Sequence, residues 1–323
     1  MITKIGKTQQ DISDAAALIR AGELVAFPTE TVYGLGGNAL DPSASKKIYA
    51  VKGRPSDNPL IVHLATWEEI DAIAEPTAQA KLLFDAFCPG PLTMILRKRP
   101  VVPDETTGGR QTVAVRFPSH PIARELIRLA GVPIAAPSAN VSKHVSPTTA
   151  LHVKSDLDGK IPLILEGGDA EVGIESTIVD LTGDSPVVLR PGAITAEEIE
   201  KVLGDAHYFS GEIKEALAPG MKYRHYSPAV PCYLAKRESL QSALASLQEK
   251  GYRPLLIATE EIAKKISPSV SLGKTAKEAQ HRIYGALREA EHYDAAIIED
   301  LSDRKEYFAA MDRIKKATGG NTL

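Results

Sequence analysis

Short apolar runs alternate with polar turns along most of this 323-residue chain. Residues 11–22 place Ala15, Leu18 and Ile19 on one side of a helix that Gly22 stops. An apolar strand at 23–27 ends at Pro28 and opens into Thr29-Glu30-Thr31. Asp41-Pro42 sets a cap before a first-turn proline, predicting a helix over 42–51 with Ile48 and Val51 inward. A strand at Leu60–Leu64, helices at 67–75 and 77–87, and strands at Leu92–Arg97 and Val113–Arg116 follow. Pro121–Ala130 reads as a helix, and Pro133–Pro137 as a buried strand running into Ser138-Ala139-Asn140. Strands at Leu163–Leu165, Ser176–Asp180 and Val187–Arg190 and a helix at Ala196–Leu203 complete this part. Crossover helices mixed with directly adjacent strands predict an α/β fold with a mixed, not purely parallel, sheet.

Periodicity dissolves between 206 and 229, where prolines, basic residues and tyrosines crowd a stretch without a continuous apolar face. A gap that long is a linker or a functional lid. Beyond it strands at 230–235, 254–258 and 295–299 alternate with helices at 238–250, 275–292 and 306–317. That alternation predicts a smaller parallel-sheet α/β domain. Three parts result: 1–205, a linker or lid at 206–229, and 230–323.

Composition narrows the classes. Hydrophobic content of 43% and charged content of 24% supply a core of ordinary size, and a net charge of −3 argues against a surface coated for long nucleic acid. Cys88 and Cys232 stand far apart, which excludes a disulfide framework and suits a reducing compartment. No apolar run approaches the ~18 residues of a membrane span, and the N-terminus lacks a signal-peptide pattern. The expectation is a soluble, cytoplasmic protein with no membrane association.

The polar residues cluster where apolar runs end. Lys46, Lys47, Lys52 and Arg54 fall within nine residues without an acid among them. The first two suit a solvated helix face. Lys52 and Arg54 sit in a loop stiffened by Gly53 and Pro55, which suits either surface charge or phosphate and carboxylate binding. Arg116 ends a buried strand, where it needs an anion or a salt bridge. Ser138 and Asn140 follow an apolar strand, as a turn or cap also would. Ser176 enters a strand and Arg190 leaves one. Convergence of Arg54, Arg116 and Arg190 would make a polyphosphate clamp. His63, at a strand end near the cation loop, is the histidine singled out. Leu272-Gly273-Lys274-Thr275 imitates the end of a P-loop, but Pro268 stands where its first glycine belongs. No covalent nucleophile with a base and no metal-ligand spacing occurs.

Five of these segments, Phe27–Gly36, Lys52–His63, Pro137–Asn140, Glu175–Asp180 and Leu189–Gly192, together resemble the signature of the YrdC-type threonylcarbamoyl-AMP synthases. Gly220–Ala229 and the trailing α/β unit resemble the family's long, two-domain form, although Met311-Asp312-Arg313 only approximates its usual Met-Asn-Arg ending. The resemblance implies a YrdC-type twisted mixed sheet with flanking helices and a smaller C-terminal Rossmann-like domain. It also implies a nucleotidyltransferase reaction: L-threonine, bicarbonate or CO2 and ATP give threonylcarbamoyl-AMP and pyrophosphate. Separate transferase proteins would then carry the group to tRNA as N6-threonylcarbamoyladenosine, with at most a weak tRNA contact by this chain.

By that analogy Thr31, His63, Arg116, the backbone at Ala136 and Ser176 hold threonine. Arg54, Asn58, Thr112, Ser138, Asn140, Ser146, Arg190 and Tyr226 hold ATP. Lys52 and Arg54 are the catalytic candidates, and Mg2+ accompanies ATP without a dedicated protein site. Residues 206–229 would close over the nucleotide or merely tether the domains. A hydrogenase-maturation carbamoyl transferase shares the nucleotide module but carries cysteine-pair zinc fingers that this chain lacks. A non-catalytic RNA-binding module is the rival of another class. It would need an extended basic face or aromatic stacking sites, and aromatic content is only 5%.

Overall fold

The computed structural model describes residues 2–211, 218–219 and 226–323. The described residues fall into two compact units, one within Met1–Ser142, Pro147–Glu171 and Glu175–Lys222, the other within Lys143–Ser146, Val172–Ile174 and Tyr223–Leu323. The lid or linker expected over 206–229 therefore lies partly outside the described residues, at 212–217 and 220–225.

Twelve strands form the sheet of the first unit: β1 (Lys4–Gly6), β2 (Val25–Phe27), β3 (Gly34–Asn38), β4 (Ile61–His63), β5 (Ala74–Glu75), β6 (Leu92–Lys98), β7 (Thr112–Arg116), β8 (Ile134–Ala135), β9 (Leu163–Leu165), β10 (Thr177–Asp180), β11 (Val187–Arg190) and β12 (His207–Tyr208). Their order is β1-β9-β2-β3-β8-β4-β7-β6-β10-β11-β12, with β5 added to the far end of β6. Parallel pairs such as β4 with β7 stand beside antiparallel ones such as β6 with β7, so the sheet is mixed, as the pattern of crossovers predicts.

Register decides what each face carries. His63 lies opposite Arg116, and Arg116 opposite Thr93, so their side chains leave the same face. Ile61, Ala114 and Ile95 follow on that face, two residues along each strand. Val62, Val115 and Met94 point the other way, into the large core with Leu35, Ile48 and Leu83. A single-residue slip would turn the arginine and histidine into that apolar core and the valines onto the polar face. The hydrophobic face thus fixes the polar one.

Local signals set the helices. Asp41 accepts the Ser43 amide at 2.8 Å before Pro42, and the helix runs to Lys52. Gly53 ends it in the left-handed region at φ 60, with open space around its α-carbon, so here the glycine answers a backbone need. Not every element follows the pattern. The helix expected at 67–75 is a 3-10 turn, Trp67–Ala72, followed by β5, because Ala74 pairs with Lys98 on β6. Gly34–Asn38, to which the pattern assigns no element, is a central strand. A Cβ at Gly36 would lie 2.8 Å from the Phe27 ring and 2.9 Å from Ile134, so bare backbone is what lets the neighbours pack.

The second unit has four parallel strands, β13 (Cys232–Ala235), β14 (Pro254–Ala258), β15 (Ser269–Ser271) and β16 (Ala295–Glu299), in the order β13-β16-β14-β15. Helix Leu240–Glu249 buries Leu240, Ala243, Leu244 and Leu247 against Leu256, Ala258 and Ile297. This is the smaller Rossmann-like domain expected, with the short β15 added. No helix among the described residues is long and apolar enough to cross a membrane.

Candidate functional site

Pro28 ends β2, and the next three residues turn back over the sheet. Thr29 is the hub of that turn. Its hydroxyl donates to Val32 O at 2.6 Å, accepts the Thr31 and Val32 amides, and lies 2.9 Å from the Thr31 hydroxyl. Glu30 reaches Arg116: Nη2 donates to Oε1 at 2.7 Å, and Glu30 Oε2 accepts the Ser119 amide at 3.1 Å. Both partners are about 4% exposed, and Arg116 Nε is buried without a partner among the described residues. His63 is also buried. Its Nδ1 faces Ile61 O at 3.1 Å and Ile134 O at 3.3 Å, so the proton sits on Nδ1 and Nε2 keeps its lone pair. Burial, and secondarily the Arg116 charge, push its pKa down to about 3.

Two strands away the same face holds a second network. The Ser176 hydroxyl lies 2.7 Å from that of Thr93 and accepts Arg190 Nη2 at 3.1 Å. Arg190 Nε donates to Ser176 O at 3.0 Å and Nη1 to Pro219 O at 3.1 Å. Since Thr93 is the register partner of Arg116, one threonine and one serine lie between Arg116 and Arg190 on this face. Gly192 permits this approach: a Cβ there would lie 2.4 Å from the Thr177 amide nitrogen.

The remaining candidates gather elsewhere. Arg54 donates from Nε to Asn58 O and from Nη2 to Pro59 O, at 3.2 and 3.0 Å, just before β4 begins. Asn58 is 1% exposed and its Oδ1 has no partner among the described residues. Thr112 starts β7, on the face of Arg116 and one strand from the segment leading into β4. Pro59 stands four positions before His63 and Thr112 four before Arg116, about 13 Å of extended chain. Lys52 is buried at its helix terminus. Its ammonium donates to Ser138 O at 2.5 Å and to the Asn140 carbonyl, while Ser142 donates back to Lys52 O at 2.8 Å. Burial, then Arg54, push the Lys52 pKa well down. Ser138 Oγ donates to Asn140 Oδ1 at 2.6 Å, and Ala136 N donates to Ile61 O.

Ser146 and Tyr226 group with the second unit. There Tyr226 holds φ 62, uncommon for a residue with a side chain, with its ring 5.4 Å from Tyr284 and the Arg313 guanidinium 5.7 Å away. Sequence reasoning overlooked Thr93 and gave Glu30 no role. A lone hydroxyl inside Leu92–Leu96 and a carboxylate straight after a buried strand were the available signals. Among the described residues no group of three His, Cys, Asp or Glu is placed to hold a metal ion, and Glu30 is already engaged.

A family model described as "Telomere recombination" matches residues 17–192, and one described as "Threonylcarbamoyl-AMP synthase, C-terminal domain" matches 194–319. The chain belongs to the two-domain threonylcarbamoyl-AMP synthase family. Members so named from Pyrococcus abyssi and Bacillus subtilis are each 44% identical to it, covering 94% and 99% of this chain and 93% and 96% of their own. A crystal structure of P. abyssi Sua5 complexed with L-threonine matches with a TM-score of 0.93 at 42% identity, covering 100% of this chain and 98% of that one. The family likeness thus spans both units.

Proposed function

We propose that this protein makes L-threonylcarbamoyl-AMP from L-threonine, bicarbonate or carbon dioxide, and ATP, for the N6-threonylcarbamoyladenosine modification of tRNA. One observation carries the assignment of its threonine site: a buried arginine, fixed by an ion pair, whose Nε has no partner, on the face shared by His63 and Thr93. The threonine carboxylate takes the Nε edge of Arg116. The Thr31 and Ser176 hydroxyls, the backbone at Ala136 and the His63 Nε2 lone pair surround its polar groups. A relative of near-identical fold is known with L-threonine bound, which supports the same ligand here.

The threonine amine adds to carbon dioxide to give a carbamate and a proton. A carbamate oxygen then attacks the α-phosphorus, the bond to the bridging oxygen breaks, and pyrophosphate leaves. Such transfers need positioning and charge neutralisation more than a covalent nucleophile. Arg190 neutralises charge at the Ser176 end. Arg54, Asn58, Thr112, Ser138 and Asn140 hold the nucleotide at the other end of β4. Lys52, its donors directed at Ser138 and Asn140, acts through the turn it secures. Mg2+ arrives on the triphosphate as part of the substrate. Transferase proteins take the product to tRNA, and the protein works in the cytoplasm.

The test is pyrophosphate release from MgATP with L-threonine, L-serine or glycine, with and without bicarbonate. Release that requires threonine and bicarbonate is expected. Salt-sensitive RNA binding without threonine-dependent release would overturn the reading in favour of an RNA-binding module.

A further inference from the structure

Glu30 lies in the threonine end of the site, yet its geometry is not that of a ligand. Both carboxylate oxygens are committed inside the protein, Oε1 to Arg116 Nη2 at 2.7 Å and Oε2 to the Ser119 amide at 3.1 Å. The carboxylate therefore bridges the turn after β2, the end of β7 and the start of the segment leading to helix Pro121–Ala130. A guanidinium is a planar fork, so fixing one Nη fixes the direction of every other N–H. Here the fixed Nη2 leaves Nε as the buried donor without a partner. Thr29, next in the chain, adds a second restraint, its hydroxyl 3.4 Å from Nη2, and the same hydroxyl lies 2.9 Å from Thr31. One short turn thus sets both the arginine and a threonine-site hydroxyl.

We infer that Glu30 is a positioning residue for the amino-acid substrate, orienting Arg116 so that its Nε edge receives the substrate carboxylate. The inference rests on the threonine site proposed above and deepens it. Two roles for the carboxylate oppose each other in sign. As a negative charge near Arg116, Glu30 repels an incoming carboxylate, so its removal would tighten threonine binding if charge were all that mattered. As an orienting group, its removal lets the guanidinium rotate and loosens binding. Gln cannot replace it, because the amide group satisfying Arg116 through oxygen turns an N–H toward the Ser119 N–H.

The decisive experiment measures pyrophosphate release for wild type, Glu30→Gln and Glu30→Asp, varying threonine at saturating MgATP and then MgATP at saturating threonine. Wild-type dependence on threonine tests the functional reading itself and fails independently of this inference. For Glu30→Gln the threonine KM is expected to rise at least tenfold while the ATP KM moves less than twofold. Glu30→Asp, retaining the charge one methylene shorter, recovers part of the loss. An unchanged or lowered threonine KM in Glu30→Gln overturns the inference, as does a parallel rise in both KM values. Far-UV circular dichroism and Tm accompany each variant. If Glu30→Gln fails to fold, the same split between the two KM values is read on Glu30→Asp, where an equal change in both is the overturning result.

Discussion

Lowering the pH from 7.5 to 5 should destabilise this protein through His63, by an amount the structure sets. Free histidine has a pKa of 6.5, and in the fold that of His63 lies at about 3, chiefly through burial. Between those values the unfolded chain binds a proton that the folded protein refuses. Stability from this group is therefore fully present above 6.5 and falls steadily toward 3. Each pH unit in the window removes about 1.4 kcal/mol, so the step to pH 5 removes about 2 kcal/mol. The loss is large against a typical domain stability of ~5–15 kcal/mol. His63→Asn removes the titration while its amide nitrogen can still face the carbonyls of Ile61 and Ile134. Its absolute stability at pH 7.5 is expected to fall by about 1–3 kcal/mol from lost packing beside Phe27. Urea unfolding at pH 7.5, 6 and 5 should then show a shallower pH slope than wild type. Equal slopes would refute the reasoning, since the neutral imidazole would not be what the fold selects.

Three further substitutions probe the site. Arg190→Lys keeps a charge but cannot make the forked contacts with Ser176 and Pro219, and should lower kcat on the order of a hundredfold; near-normal pyrophosphate release would remove Arg190 from the mechanism. Lys52→Met frees the Ser138–Asn140 turn and should raise the ATP KM at least tenfold with little effect on threonine, which a two-substrate titration reads directly. Gly192→Ala sets a methyl 2.4 Å from Thr177 N and 2.7 Å from its hydroxyl, so urea unfolding should show a loss of about 2 kcal/mol or more. An unperturbed Gly192→Ala protein would mean that this backbone crossing can give way.

Much of the fold was legible because short apolar runs and caps leave strong local marks. Helix Pro121–Ala130, strands Leu163–Leu165 and Val187–Arg190, and the β14 and β16 strands of the second unit follow directly from such marks. Gly34–Asn38 was not legible, because its strand character depends on pairing back onto the strand that ends at Phe27 and on packing against Ile134, far along the chain, and no local propensity encodes that. Glu30 was equally hidden. Nothing in Thr29-Glu30-Thr31 announces that the middle side chain meets an arginine 86 residues later.

By itself the sequence determined an α/β protein with two domains and with cations and hydroxyls at strand ends, since strand and helix signals are local and polar residues interrupt apolar runs visibly. Only the tertiary structure decided which of those groups meet. It joined Arg116 to Glu30 and Arg190 to Ser176, and placed Arg54 at the opposite end of β4. Register is the physical reason: hydrogen-bonded strands fix which side chains stand opposite, and that depends on pairings the chain makes across long separations.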